Sequence, residues 1–171
     1  MDTFEAIKTR RSIRKFKNRA IPVDLTEKIL EAGMYAPSAR NQQPWHFVLV
    51  TREELKEKLM RAHPYASMLS EARLAILVCG DTDLELSPGY WPIDCSAATQ
   101  NILLAAHAGG LGAVWLGVHP RQERKDAIRK IFDLPANIEP FALIALGYPG
   151  ENKETPERYK TDRVHLNSWS G

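Results

Sequence analysis

From about Ile93 to His107 the chain reads as one long helix whose residues are small or apolar on most faces, among them Ala97, Ala98, Ile102, Leu103, Ala105 and Ala106. A surface helix confines its apolar residues to one stripe, so a helix of this composition needs cover on nearly every side. It is expected to be the central helix, with the other elements layered around it. Gly109 and Gly110 follow immediately and supply the stop.

The flanking sequence provides the cover. Phe4 and Ile7 with a charged opposite face predict a first helix over residues 3 to 9. Asp24, with Glu27 three residues on and Leu25, Ile29 and Leu30 following, reads as a capping box opening a helix that ends near Tyr35, ahead of Pro37. Apolar runs at His46 to Thr51, Leu74 to Cys79, Ala113 to Val118 and Pro140 to Leu146 predict strands, and Glu53 to Arg61 and Arg121 to Phe132 predict charged helices. With 171 residues the chain is read as a single domain, 1–171. The tail, about 151–171, has no core periodicity but carries Tyr159, Val164, Leu166 and Trp169, which need a surface to pack on, such as a partner subunit. Strand and helix alternation suggests a doubly wound nucleotide fold. The only glycine cluster, Gly109, Gly110 and Gly112, argues against it, because it follows a helix and precedes a strand, the reverse of a GxGxxG fingerprint.

Several function classes are set aside by composition. No apolar run reaches the ~20 residues of a membrane span, and a net charge of +2 is too small to imply a nucleic-acid partner. Asp2 and Glu5 interrupt a transit-peptide pattern and no secretory stretch follows, so the compartment is read as the cytoplasm. His46, His63, His107, His119 and His165 lack metal-ligand spacing and are read as structural, with no metal site expected. Cys79 and Cys95 sit among apolar residues and are assigned no role.

Two stretches carry chemistry. Arg10, Arg11, Ser12 and Arg14 crowd guanidinium groups that repel one another unless an anion or solvent neutralises them, and their donor forks match phosphate oxygens. A solvated basic edge is the plainer reading of such a run. Pro37-Ser38-Ala39-Arg40-Asn41-Gln42-Gln43-Pro44-Trp45 places several amides, able to donate and accept at once, in a loop between a helix end and a strand. A turn explains one or two of these residues, not so many amides ahead of a tryptophan.

Together and in this order, the Thr9-to-Arg14 stretch and the Ala36-to-Trp45 loop resemble the nitroreductase family, with its RRSxR-like start and APSxxNxQPW-like loop. Gly110 to Gly117 also resembles that family's glycine-bearing strand, and Ala145 to Pro149 and Arg163-Val164-His165 resemble its closing strand and basic tail. The resemblance implies an α+β, three-layer α/β/α fold with a central mixed sheet, helices on both faces, and an intertwined homodimer exchanging its C-terminal tail. It implies FMN in a cleft between subunits. Arg10 and Arg163 would hold the phosphate, assisted by Arg11 and more weakly by Lys160, and Ser12 would meet the ribityl or ring edge. Arg14 would stabilise charge near N1 and O2. Pro37, Ser38, Ala39, Asn41 and Gln43 would approach from the other subunit, and Trp115, Leu116 and Gly117 would lie by the ring, the N–H groups of the last two near N5 and O4.

By the same resemblance the reaction is ping-pong hydride transfer from NADH or NADPH to a small-molecule acceptor such as a nitroaromatic or quinone, with no side-chain base. Tyr65, Met68, Tyr90 and Trp91 are candidates for the substrate pocket, although residues of these types beside apolar segments more often belong to a core. Other readings are a different flavin reaction on the same scaffold, such as reductive dehalogenation or ene reduction, and a non-catalytic flavin-binding or sensing module.

Overall fold

A computed structural model of the chain describes residues Met1–Trp169; Ser170 and Gly171, the last two residues of the expected tail, lie outside it. Five helices, α1 (Thr3–Thr9), α2 (Val23–Met34), α3 (Glu53–Ala62), α4 (Trp91–Ala108) and α5 (Gln122–Phe132), accompany four strands, β1 (Trp45–Val50), β2 (Leu74–Asp81), β3 (Gly112–Gly117) and β4 (Ile138–Gly147). The strands form one sheet in the order β1-β2-β4-β3, every neighbouring pair antiparallel. The mixed sheet expected from the resemblance is thus antiparallel within one chain. Its parallel component is a single bridge, Ser12 to Ala113, on the outer edge of β3.

Strand alternation sorts the apolar residues into two cores. Ile76 and Val78 of β2 and Ala142 and Ile144 of β4 face α2 and α4, while Leu77 and Cys79, with Leu143 and Ala145, face α3 and α5. The central strands β2 and β4 are buried on both faces, which is why they read as unbroken apolar runs. Three layers result, helices on sheet on helices.

Local chemistry shifts several element ends from the sequence reading. The Asp24 capping box does not form: α2 starts at Val23 behind Pro22, and no side chain caps it. Proline, its φ already near the helical value, sits readily at a helix start and pre-empts the aspartate. Asp2 does cap α1, accepting the Glu5 N–H at 2.9 Å. On α1, however, Ala6 is the buried residue, whereas Phe4 and Ile7 are exposed, at 77% and 52%. The apolar side of α1 therefore faces out, and the same is true of Ile93 on α4 and of Met34 and Tyr35 at the end of α2. The central helix is covered on only part of its circumference by its own chain, and the tail lies exposed, with Leu166 at 81% and Trp169 at 84%.

Both cysteines are fully buried, and Cys95 Sγ contacts the Cys79 carbonyl at 3.6 Å. Burial pushes the Cys79 thiol up to about 12 and raises that of Cys95 further. A thiol this far from its thiolate form is a poor nucleophile. Ellman's reagent at pH 8 is expected to leave both thiols of the native protein silent and to titrate both after unfolding; rapid native labelling would contradict that burial.

Candidate functional site

The arginine segment is laid along the edge of β3 by backbone pairing. Ile13 N–H donates to the Ala113 carbonyl at 3.0 Å, and Phe16 bridges Pro149. Glycines make room for this approach: a Cβ on Gly112 would meet Ile13 at 2.7 Å, and one on Gly147 would meet Phe16 at 2.9 Å. The base of the tail is stitched to the same segment. Gly150 N–H donates to the Lys15 carbonyl at 2.7 Å, Lys153 Nζ to the Ser12 carbonyl at 2.8 Å, and Arg14 N–H to Glu151 Oε1 at 2.6 Å.

The arginines divide. Arg11 is consumed by backbone carbonyls of Lys8, Arg10 and Glu154, so it clasps the end of α1 to the tail. Arg10 is half-buried, and its guanidinium is held below its ordinary value, first by burial and then by the positive charges of Arg11 and Arg158. No carboxylate pairs with it among the described residues. Arg158, which sequence reasoning passed over, is the tail residue that stands beside Arg10 in this chain; Lys160 and Arg163 are exposed and make no side-chain hydrogen bond or ion pair among the described residues. Arg14 is exposed, two residues beyond the Ser12 bridge in the direction of Trp115.

The backbone of β3 presents a defined edge. Ala113 turns its carbonyl outward to Ile13, so antiparallel parity also turns the N–H groups of Trp115 and Gly117 outward and that of Leu116 inward, toward β4. This departs from the expectation that Leu116 offers its N–H to a ring. A Cβ on Gly117 would meet nothing within 4 Å, so open space lies over that residue. Its carbonyl accepts from Arg124 Nη1 at 2.7 Å and from His63 Nε2 at 2.9 Å.

His63 is buried and its other nitrogen, Nδ1, accepts the Tyr65 N–H at 3.2 Å, which requires the neutral ring with its proton on Nε2. Burial, aided by the charge of Arg124, holds its pKa below the ordinary value, outweighing the Gly117 hydrogen bond that raises it.

At the opposite edge of the sheet, the amide-rich loop enters β1. Arg40, Asn41 and Gln43 all have positive φ, at 51°, 56° and 47°, a conformation that costs non-glycine residues energy and persists only where surrounding contacts impose it. Here Gln42 imposes it. Its buried side chain donates to Asp94 Oδ2 at 2.6 Å and accepts from the N–H groups of Leu86 and Ser87 at 2.7 and 3.0 Å. Asp94, in the first turn of α4, also takes the Ala39 N–H at 2.9 Å. Ser38 Oγ accepts the Gln43 N–H, Gln43 Nε2 donates to Asn41 Oδ1, and Pro37 lies exposed ahead of them. Neither Gln42 nor Asp94 stood out as a site residue, though a lone carboxylate inside an apolar helix was a signal.

Of the candidate pocket residues, Met68 and Trp91 are buried in the two cores at 8% exposure each, Trp91 stacked edge-on against His119 and Phe141. Core packing is what their apolar neighbours favour. Tyr65 and Tyr90 are exposed, at 68% and 50%. No group of three or more metal-ligating side chains exists among the described residues.

Two outcomes follow. Gln42→Ala would strand a buried carboxylate oxygen and two N–H groups, costing about 3 kcal/mol, which a lowered urea midpoint would register. His63, His107 and His119 all titrate below their ordinary 6.5, chiefly through burial. The unfolded chain therefore takes up protons that the folded chain refuses. Stability present above about pH 6.5 should fall as the pH drops through the folded-state values, seen as a lower Tm at pH 5.5 than at pH 7.5.

Known proteins share this sequence pattern and fold. The nitroreductase family model matches residues 7–79 and 65–148. A protein of Methanothermobacter thermautotrophicus, provisionally named an NADH dehydrogenase/NAD(P)H nitroreductase, is 52% identical over 99% of this chain and 88% of its own length. A crystal structure from Parabacteroides distasonis under the same provisional name superposes with a TM-score of 0.93 at 42% identity, covering 98% of each chain. An FMN-dependent nitroreductase of Clostridium difficile superposes with a TM-score of 0.89 at 29% identity, covering 97% of this chain and 99% of its own. By family model, sequence and fold together, the chain belongs to the nitroreductase family.

Proposed function

We propose that this protein is an FMN-dependent NAD(P)H oxidoreductase, the whole chain acting as one domain and two copies forming the working unit, with nitroaromatic, quinone or related small molecules as acceptors. The reading is carried by the half-buried Arg10 guanidinium, set beside Arg11 and Arg158 with no carboxylate to neutralise it among the described residues. Such a cluster is stabilised by an anion of the phosphate type.

The residues present fit FMN. Arg10 and Arg158 are available to its phosphate, the outward N–H groups of Trp115 and Gly117 to the polar rim of its ring, and the open space over Gly117 admits a flat group against the backbone. When bound, FMN supplies two-electron transfer between a reduced nicotinamide and an acceptor. Arg14, exposed and without a side-chain carboxylate partner among the described residues, is positioned to stabilise negative charge along that edge. The loop amides of Asn41 and Gln43 are preorganised by Gln42 and Asp94 to donate and accept.

The sheet order supports a second copy. The arginine segment lines β3 and the amide loop leads into β1, at the two outer edges, three strand spacings or ~14 Å apart. One ring enters both only if another chain brings its loop to this chain's arginines. The exposed apolar faces of α1 and α4 and the uncovered tail supply the surface for that assembly. No helix among the described residues is long and apolar enough to cross a membrane, and the two unpaired buried thiols accord with action in the cytoplasm.

The purified protein is expected to be yellow, to elute as a dimer, and to bleach on addition of NADH or NADPH; a colourless monomer that takes up no FMN would overturn the proposal. Arg10→Ala should weaken FMN retention by about tenfold or more, as loss of a charged hydrogen bond to phosphate does. Arg14→Ala should chiefly lower the flavin potential. Equal effects of the two on affinity with no change in potential would refute that division.

A further inference from the structure

A polar cavity of about 460 Å³ is lined by Arg61, Ala62, Pro64, Arg121, Glu123 and Arg124, the last of which binds the Gly117 carbonyl. None of these residues belongs to the FMN contacts proposed above. Three guanidinium groups border it against one carboxylate, and Arg61 is drawn to Glu57 only at 3.5 Å on an exposed surface, an interaction worth little.

The wall of this cavity is organised from beneath. Buried His63 fixes two things at once, donating to the Gly117 carbonyl and accepting the Tyr65 N–H. Arg124 spends Nη1 on the same carbonyl and spreads over the Tyr65 ring at 5.6 Å, keeping Nε and Nη2 for another acceptor. Tyr65 packs edge-on against the His63 ring at 6.1 Å, yet is 68% exposed. An aromatic ring held by a buried histidine and left open to solvent is a platform for stacking a planar ligand. Arg124, already oriented, stands over this ring and lines the cavity with Arg61 and Arg121, and guanidinium groups are the natural receivers of phosphate oxygens.

We infer that the Tyr65, Arg121 and Arg124 surface is the docking site for the phosphate-bearing half of the dinucleotide electron donor, the adenine stacking on Tyr65 and the phosphates meeting Arg121 and Arg124. The inference rests on the donor assignment proposed above and extends it. Gly117 anchors the arrangement: the strand edge offered to the flavin ring and the guanidinium offered to the donor share one residue, so a donor held by its phosphates extends toward the place where its nicotinamide must react. Binding energy spent on the remote phosphates thereby positions the reacting ring.

The test uses the dimeric protein as purified, with ADP-ribose and 2′-phospho-ADP-ribose as probes that carry the adenine and phosphates but no nicotinamide. Calorimetric titration should give binding that weakens as salt is raised. Arg121→Ser and Tyr65→Ala should each raise the probe Kd and the KM for NADH or NADPH about tenfold, the scale of one lost charged contact or stacked ring. Flavin content should stay that of the parent protein. Lys130→Ser, an exposed change on the same helix away from the cavity, should leave the probe Kd unmoved. A probe Kd indifferent to Arg121→Ser and Tyr65→Ala in protein that retains its flavin would overturn this inference and leave the flavin assignment standing. Protein that takes up no flavin would defeat that assignment instead, while the probe titration would still decide the docking site. A tighter Kd for the 2′-phosphorylated probe would identify NADPH as the donor the surface fits, and equal values would identify the shared diphosphate as the group bound.

Discussion

The hydrogen bond from Ile13 N–H to the Ala113 carbonyl holds the arginine segment against the outer edge of β3, and the rest of the site depends on it. It places Arg10 where α1 ends and Arg14 along the strand. It closes part of an edge that would otherwise invite another strand. By parity it also determines which β3 amides remain free: with Ala113 turned outward, so are Trp115 and Gly117, and Leu116 is committed to the sheet. Gly112 and Gly147 are part of the same device, since a side chain at either would push Ile13 or Phe16 off the strand.

A second constraint acts at the far edge. The strained loop before β1 is kept in shape by a buried amide–carboxylate pair, Gln42 with Asp94, which ties it to the start of α4. The central helix thus carries the loop at its N-terminal end, through Asp94, and leaves the neighbouring Ile93 exposed. Positioning of the loop and, on the pairing proposed above, assembly of two copies would fall to one helix.

Much of this was legible in the sequence and some was not, for identifiable reasons. The elements followed from periodicity, and the unbroken apolar runs of β2 and β4 announced strands covered on both faces. The two chemical stretches were legible because they occur together and in order; the arginine run alone reads as a solvated basic edge. Strand order is a long-range property, and the sequence carries no signal that β1 and β3 lie at opposite edges. Phe4 and Ile7 marked a helix over residues 3 to 9, but an apolar pair does not state which way it faces, and both are exposed in this chain. Leu116 and Gly117 looked equivalent until the register distinguished them. Gln42 and Gln43 are adjacent and chemically identical, yet one is buried as a brace and the other exposed, a difference made by backbone φ at Gln43 and by a carboxylate fifty residues downstream.

The uncovered tail has a consequence for the life of the chain in a cell. Tyr159, Val164, Leu166 and Trp169 face water in a solitary copy, and such a surface is what quality-control machinery recognises as unfinished. Were two copies the working unit, as proposed above, folding and abundance would not be separable quantities. Scarce synthesis would leave orphan copies open to degradation, whereas ample synthesis would protect every copy at once, so expression level itself would act as a threshold for survival.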